Sequence, residues 1–361
     1  MTTEQRAGEV RVGIVGMGIG RPNARALDKN PRGRVVALCD LLPARMEEFV
    51  KELPDPASVK RYTSYQEMCR DPEVDAVFVG TPNQWHVPVA LEVVRQGKHV
   101  LVTKPLADSE AAARELVQAA ERAGVVNMMS LSMRFGAAAT YLRKQAQQGT
   151  FGDLYYARAR SVRRNGIPAW NLGFIQQGGG AFRDMGVHVL DAVWSILGHP
   201  RPVSVTGVGG AKFGPRGLGY WYGRPRPEES VWRQFAADDY AGGLIRFENG
   251  AGVQVESFWA SHQPGEVQIE LFGTEAGAKL RPLTVYHTVD GVEQDATVNL
   301  PLGSGPERGE GWDNIAQHFI ACVLDGVPCQ APLRHGLQVQ IMMEAMLRSA
   351  EEGKEIPIRD F

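Results

Sequence analysis

Two polar side chains, Asp184 and His188, lie four residues apart in an otherwise apolar segment, and residues at this spacing share one face of an α-helix. The apolar neighbours predict a buried helix from about Asp184 to Leu197, in which polar groups need partners. One interpretation is a hydrogen-bonded core histidine. The other is a general base, His188, supported by Asp184. The spacing alone leaves both open, while Asp191 on the same face is expected to be structural.

A lysine, Lys104, follows an apolar strand pattern and precedes Pro105. Most lysines extend a solvated ammonium group from the protein surface. At the end of a strand beside a ligand, an ammonium group can instead hydrogen-bond a reacting hydroxyl. We predict this second role for Lys104.

A glycine-rich turn follows the first apolar strand, with glycines at positions 16, 18 and 20. Gly16 permits a tight turn, and Gly18 lets the backbone approach a pyrophosphate at the N-terminus of the next helix. The usual G-x-G-x-x-G spacing would place the third glycine at Arg21, so Gly20 comes one residue early. The pattern predicts a dinucleotide-binding loop.

A second apolar strand ends in Asp40, which lies 24 positions after Gly16. An acid near this spacing accepts hydrogen bonds from the adenosine ribose and repels a 2′-phosphate. The sequence therefore favours NAD over NADP, although the nearby Arg45 weakens that preference.

Residues 10–130 alternate strand and helix patterns, which is typical of a parallel sheet covered by helices on both faces. Ligands bind such sheets at the carboxyl ends of the strands. Four segments are predicted to meet at that edge: Gly16–Gly20, Asp40, Thr81–Asn83 and Lys104–Pro105. We predict an NAD-binding Rossmann domain over residues 1–131.

The pattern changes after residue 131. Strands are predicted near 154–162, 203–208, 240–247, 252–259 and 267–272, and Asn249-Gly250 indicates a hairpin. The predicted fold class is an α/β Rossmann domain with a parallel sheet, followed by an α+β domain with an open, mostly antiparallel sheet over residues 132–361. The aromatic, arginine-rich segment 213–235 is interpreted as an arm for subunit contact, with a substrate wall as the alternative.

Composition excludes several classes of protein. The net charge of −2 gives no reason to expect nucleic acid or an anionic membrane as a partner. No apolar run approaches the length of about 20 residues that spans a bilayer, and no signal peptide is visible. The four cysteines are scattered and lack metal-like spacing with histidine, so we expect no metal site and a reducing cytoplasm.

Taken together, these segments resemble the Gfo/Idh/MocA family of NAD(P)-dependent oxidoreductases, which includes glucose–fructose oxidoreductase and inositol dehydrogenase. The resemblance covers essentially the whole chain. It rests on the glycine turn, Asp40, Thr81-Pro82-Asn83 with Trp85-His86, Thr103-Lys104-Pro105, and Gly178-Gly179-Gly180 leading to Asp184, His188 and Asp191. The family usually has Glu before Lys-Pro, where this chain has Thr103.

The resemblance implies roles for individual residues. Lys104 binds the substrate hydroxyl, His188 is the acid/base, and Asp184 positions the substrate or the histidine. The predicted cofactor contacts are Gly16, Gly18, Ile19, Gly20, Asp40, Thr81, Pro82, Asn83, His86, Lys104 and Pro105. The predicted substrate contacts are Lys104, Arg134, Arg163, Trp170, Asp184 and His188. The open sheet is expected to form a homo-dimer or homo-tetramer interface.

The predicted activity is oxidation of a secondary hydroxyl of a sugar, glycoside or polyol, with hydride transfer to NAD. One alternative is a redox-neutral glycosidase that oxidises the sugar transiently and then returns the hydride. Arg158, Arg160, Arg163 and Arg164 suggest an anionic sugar for such an enzyme, although alternating arginines on a strand are commonly a solvated face. Another alternative is a non-catalytic sugar or NAD sensor, against which the combination of Lys104, Asp184 and His188 argues.

Overall fold

The computed structural model describes residues 8–300 and 310–361, which form two compact units. The elements up to residue 135 alternate strand and helix. They are β1 (Val10–Val15), α1 (Gly20–Lys29), β2 (Gly33–Cys39), α2 (Pro43–Val50), β3 (Lys60–Tyr62), α3 (Tyr65–Arg70), β4 (Ala76–Val79), α4 (His86–Arg95), β5 (His99–Thr103), α5 (Glu110–Ala123) and β6 (Asn127–Ser130).

These six strands form one sheet in the order β3-β2-β1-β4-β5-β6, and every neighbouring pair is parallel. The strand order reverses between β1 and β4, which is where such sheets bind ligands. The central strand β4 is buried along its whole length because helices cover the sheet. The predicted parallel Rossmann sheet is confirmed.

Helix ends follow local sequence signals. Ser64 and Ser109 cap α3 and α5 by accepting hydrogen bonds from the backbone N–H groups of Glu67 and Ala112. Gly124 ends α5 in the left-handed conformation that glycine adopts readily.

The remaining elements begin with a helix and continue mainly as strands. They are α6 (Ala137–Gln147), β7 (Leu154–Val162), α7 (Val187–Ile196), β8 (Pro202–Gly210), α8 (Glu229–Trp232), β9 (Tyr240–Phe247), β10 (Gly252–Phe258), β11 (Glu266–Gly273), β12 (Gly277–Lys279), β13 (Thr284–Val289), β14 (Val292–Thr297), α9 (Glu310–Asp325), α10 (Leu333–Glu352) and β15 (Ile356–Pro357).

The second sheet has nine strands in the order β14-β13-β12-β11-β7-β10-β9-β8-β15. Its pairs are antiparallel except for β7 with β10, and β9 and β10 pair antiparallel on either side of the predicted Asn249-Gly250 turn. The mostly antiparallel sheet is therefore confirmed. Strands β12 to β14 were not predicted, because β12 is short and every side chain of β14 is exposed and gives no apolar alternation.

The helix α9 belongs to the first unit, which comprises residues 8–135 and 310–337 of the described chain. Its buried face includes Ile315, Phe319 and Ile320, and it packs on α1. The predicted domain boundary after residue 131 assigns α9 to the second domain, so it differs from this division. In the part of the chain that the structure describes, no helix has the length and apolar composition needed to span a membrane.

We expect Gly33→Ala to destabilise the first unit. A Cβ at Gly33 would lie 2.4 Å from the Leu27 carbonyl oxygen and 2.6 Å from Ile320 Cδ1. Overpacking of this kind costs about 1–3 kcal/mol. The midpoint of thermal unfolding should fall by several degrees, whereas Gly265→Ala, whose nearest new contact is 3.6 Å, should leave it unchanged. Equal midpoints for the two variants would contradict the packing of α9 described above.

Candidate functional site

The glycine turn after β1 brings two strand ends into very close contact. Gly16 has a φ of +91°, and a Cβ at this position would lie 2.5 Å from the Gly80 carbonyl oxygen. Around Gly18, by contrast, a Cβ would meet no atom within 4 Å. Gly20 begins α1, and its Cβ position lies 3.0 Å from Ile14 Cγ2. The early third glycine therefore still allows α1 to pack closely on β1.

Asp40 follows β2 and is largely buried. Its Oδ2 accepts a hydrogen bond of 2.8 Å from the Met17 N–H, and its Oδ1 accepts one of 2.9 Å from the Leu42 N–H. The Arg45 guanidinium lies 3.8 Å from Oδ2. Because an ionised carboxylate offers about four acceptor positions, Asp40 can hold the glycine turn and still accept ribose hydroxyls.

The segment Thr81–Asn83 follows β4 and contains an unsatisfied polar atom. Among the residues that the structure describes, the buried hydroxyl of Thr81 has no hydrogen-bond partner. A buried hydroxyl without a partner is costly, so a ligand that supplies one is favoured. Together with the open space at Gly18 and the acceptor capacity of Asp40, this hydroxyl fits a bound dinucleotide.

His86 does not have the predicted position for a cofactor contact. Its side chain is fully buried, with Nδ1 lying 2.7 Å from the Pro105 carbonyl oxygen and Nε2 lying 2.7 Å from the Thr81 carbonyl oxygen. Burial is the largest influence and lowers the pKa of His86, while the two carbonyl contacts oppose that shift. A ring with no exposed surface positions the loops after β4 and β5, so the predicted direct contact with the cofactor is wrong.

Lys104 lies at the carboxyl end of β5, as predicted. The preceding Thr103 is buried, whereas Lys104 is half-buried and joined to Pro105 by a cis peptide bond. It therefore lies on the same edge of the sheet as Gly16, Asp40 and Thr81.

Arg134 does not have the predicted position for a substrate contact either. It is only 1% exposed, and its guanidinium donates hydrogen bonds to the Gln330 carbonyl oxygen at 2.5 Å and to His335 Nδ1 at 2.8 Å. Burial and the positive charge of Arg134 lower the pKa of His335 to about 4, so its neutral ring can accept this bond. Arg134 thus ties the end of the Rossmann sheet to the loop after α9 within the first unit.

The second unit contains Asp184 and His188, both partly exposed on a helix whose other residues are mostly buried. A π-helical turn over Phe182–Gly186 leads directly into α7, and such turns occur frequently at functional sites. Further along the same face, Asp191 is fully buried. Of these three residues, Asp184 and His188 are partly exposed and Asp191 is not. This difference favours chemistry at Asp184 and His188 and a structural role for Asp191.

Trp259 and Arg163 both lie against the Asp184 carboxylate. Its Oδ2 accepts a hydrogen bond of 2.9 Å from the indole N–H of Trp259, which is fully buried, and lies 3.8 Å from the Arg163 guanidinium. Burial lowers the pKa of Arg163, and the Asp184 carboxylate opposes this shift. Trp259 follows β10 directly and was not predicted as a site residue.

The glycine-rich loop before Asp184 is anchored by another missed residue, Asp238. A Cβ at Gly180, which has a φ of +114°, would lie 1.9 Å from Asp238 Oδ1, and Asp238 Oδ2 accepts a hydrogen bond of 2.9 Å from the Phe182 N–H. Burial raises the pKa of Asp238 to about 6. The Ser257 hydroxyl donates a hydrogen bond of 2.8 Å to the Ala181 carbonyl oxygen. These contacts fix the start of the helix that carries Asp184.

Two tryptophans form a wall beside Arg163. The Arg163 guanidinium lies 4.7 Å from the ring centroid of Trp221, and Trp221 contacts Trp170 edge-to-face at 5.8 Å. Trp170 is half exposed, with Arg224 over its ring. The part of segment 213–235 that contains Trp221 therefore packs on its own unit near Asp184, as the substrate-wall alternative requires. Subunit contact by the rest of the segment stays a prediction.

The alternating arginines of β7 do not all lie near this site. Ala157, Ala159 and Ser161 are the buried side chains of β7, so Arg158 and Arg160 lie on the opposite face of the sheet. Arg158 forms an ion pair with Glu270 at 3.5 Å, and Arg160 forms ion pairs with Glu266 at 3.0 Å and with Glu270 at 3.6 Å. The suggestion that these two arginines bind an anionic sugar near His188 is therefore wrong.

Comparisons with known proteins agree with this picture. Residues 10–131 match the family model described as "Oxidoreductase family, NAD-binding Rossmann fold", and residues 139–279 match the GFO/IDH/MocA C-terminal domain. The chain is 27% identical to the D-glucoside 3-dehydrogenase of Escherichia coli (strain K12), over 99% of this chain and 100% of that protein. It is 25% identical to the scyllo-inositol 2-dehydrogenase (NAD(+)) of Bacillus subtilis (strain 168), over 88% and 87%.

Among solved structures, a levoglucosan dehydrogenase in complex with NADH and levoglucosan shares the fold. The TM-score is 0.85 at 21% identity, covering 98% of this chain and 100% of that one. From the matched domains and the geometry of the cofactor edge, we conclude that the chain belongs to the Gfo/Idh/MocA family of NAD-binding oxidoreductases.

Proposed function

We propose that this protein is an NAD-dependent dehydrogenase that oxidises a secondary hydroxyl of a sugar, glycoside or polyol. The observation that carries the proposal is the Asp184–His188 pair, partly exposed on an otherwise buried helix and held by the Trp259 indole. A polar pair kept open to solvent at the start of a buried helix is suited to proton transfer. The unsatisfied Thr81 hydroxyl and the space at Gly18 support NAD as the cofactor.

Four residues of the chain have distinct roles in this reaction. Neutral His188 removes the proton of the substrate hydroxyl, and the Asp184 carboxylate stabilises the imidazolium that results. Lys104 donates a hydrogen bond to the same oxygen and stabilises the negative charge that develops there. The nicotinamide, when bound, supplies the hydride acceptor. His86 acts indirectly, by positioning the loops that contain Thr81 and Pro105.

The wall of Trp170 and Trp221 supports a carbohydrate as the substrate. An aromatic ring offers an apolar face to the C–H face of a sugar ring, and Arg163 beside it offers hydrogen-bond donors to hydroxyls. Two relatives are named as dehydrogenases of a D-glucoside and of scyllo-inositol, which are both polyhydroxylated. The oligomer through the open sheet and the cytoplasmic location stay predictions.

The activity is tested by mixing the protein with NAD and a panel of free sugars, polyols and aryl glycosides. NADH absorbance and released aglycone are followed together. We expect NADH to accumulate without aglycone release. Aglycone release without net NADH would identify a redox-neutral glycosidase, and binding without either product would identify a sensor; both outcomes contradict the proposal.

The roles of Lys104 and His188 are tested by Lys104→Met and His188→Gln. General acid–base catalysis by His188 and stabilisation of the developing negative charge by Lys104 each contribute roughly 100-fold or more, so turnover should fall at least that far in each variant. The affinity for NADH, measured by fluorescence titration, should change little in His188→Gln. Lys144→Met removes an exposed lysine and is the matched control. Turnover of either test variant at the level of the control would overturn its assignment.

The cofactor preference is tested by Asp40→Asn, which removes the negative charge and keeps an acceptor oxygen for the Met17 N–H. Without repulsion of a 2′-phosphate, and with Arg45 nearby, the ratio of kcat/KM for NADP over NAD should rise roughly tenfold or more, equivalent to about 1.4 kcal/mol. Arg45→Gln in the Asp40→Asn background should reverse part of this gain. An unchanged ratio in Asp40→Asn would show that Asp40 does not select the cofactor.

A further inference from the structure

The structure brings together three side chains that the sequence analysis treated as scattered. His318 and Cys322 lie one turn apart on α9, and Cys329 lies in the loop that follows. Their side-chain donor atoms all lie within 4.8 Å of one another. The signal for this cluster was the spacing of four residues between His318 and Cys322, which places both on one helix face. The proposed reaction uses none of these residues.

The two thiols have different surroundings. Cys322 is buried, and its Sγ lies 3.4 Å from His318 Nε2. Cys329 is partly exposed and is preceded by four exposed residues, 325–328. Peroxide in solution can therefore reach Cys329 before it reaches Cys322.

Hydrogen bonds define the chemical state of the cluster. His318 Nε2 accepts a hydrogen bond of 2.9 Å from the Gln330 N–H, so this nitrogen carries a lone pair and faces the sulfur of Cys322. The Cys329 thiol donates a hydrogen bond of 3.6 Å to the Asn127 carbonyl oxygen. The neighbouring Cys322 thiol lowers the pKa of Cys329, burial opposes this shift, and the Ala331 N–H and the Arg134 charge support it, while the Cys329 thiol and burial raise the pKa of Cys322. The more accessible sulfur is thus also the better nucleophile.

We propose that Cys322 and Cys329 form a redox-active dithiol that reacts with hydroperoxides, with Cys329 as the attacking sulfur and Cys322 as the resolving sulfur. The Cys329 thiolate attacks one oxygen of hydrogen peroxide; the O–O bond breaks, giving a sulfenic acid and hydroxide. The Cys322 thiol then attacks the Cys329 sulfur. The S–S bond forms, the S–O bond breaks, and the hydroxyl group leaves as water with the Cys322 proton.

The remaining cysteines provide internal controls. Cys39 and Cys69 are both buried, and burial raises the pKa of each thiol to about 12. A buried protonated thiol reacts slowly with peroxide. Oxidation should therefore be confined to the pair near α9.

The cluster lies at the opposite end of β6 from the cofactor edge. Cys329 Sγ is 3.6 Å from the carbonyl oxygen of Asn127, the first residue of β6, whereas the cofactor edge lies at the carboxyl ends of the strands. The dithiol is therefore a separate site within the first unit, and its oxidation can be measured independently of dehydrogenase activity.

The experiment exposes the reduced full-length protein to a small excess of hydrogen peroxide and measures its intact mass. We expect the loss of two hydrogens and its reversal by dithiothreitol. Trypsin leaves both cysteines in one peptide, so digestion uses a protease that cuts before aspartate, because cleavage at Asp325 separates Cys322 from Cys329. The two fragments should remain joined until they are reduced.

Single variants assign the roles. Cys322→Ser should accumulate a sulfenic acid at Cys329, which dimedone labels. Cys329→Ser should leave Cys322 reduced after the same exposure to peroxide. Cys69→Ala is the control and should behave as the unmodified protein. Unreacted thiols in the unmodified protein, or equal oxidation of Cys322 in Cys329→Ser, would overturn the proposal. So would tight retention of zinc by thiols that are inert to peroxide, since the cluster would then be a metal centre.

Discussion

The first unit depends on how closely the ends of β1 and β4 approach each other. At this point the strand order of the sheet reverses, and the backbone of Gly16 leaves no room for a Cβ against Gly80. That contact places the open space at Gly18 beside the loop that begins with Thr81. Every other feature of the cofactor edge is arranged around it, including the Asp40 carboxylate that holds the Met17 N–H and the buried ring of His86 that links the next two loops.

The second unit depends on two adjacent carboxylates, Asp238 and Asp239. Asp238 holds the glycine-rich loop that leads to Asp184, through the Phe182 N–H. Asp239, fully buried, accepts hydrogen bonds from three successive N–H groups at residues 212–214, where the aromatic segment begins. Both residues immediately precede β9, so the loop that leads to Asp184 and the start of the segment that contains Trp221 are held from one point in the chain.

The sequence was informative where a residue type has one dominant structural use. The glycine turn and the Asn249-Gly250 hairpin were predicted because local sterics and hydrogen bonding decide them. The sequence could not predict contacts that depend on the direction in which a side chain extends. A histidine or arginine after a strand can extend into a ligand groove or into the core, and His86 and Arg134 both extend inward. It also failed for β14, whose wholly exposed side chains carry no apolar pattern, and for the return of α9, which depends on contacts between residues about 300 positions apart.

The return of α9 to the first unit has a consequence for how the chain is made. Translation proceeds at roughly 5–20 residues per second, so the six strands of the Rossmann sheet leave the ribosome at least several seconds before α9. During that interval the surface of α1 that packs against α9 has no cover, and the intervening α+β sheet is synthesised in the meantime. The Rossmann sheet is thus synthesised well before the helix that completes its unit, and the newborn chain carries an exposed apolar surface on α1 until α9 has been translated.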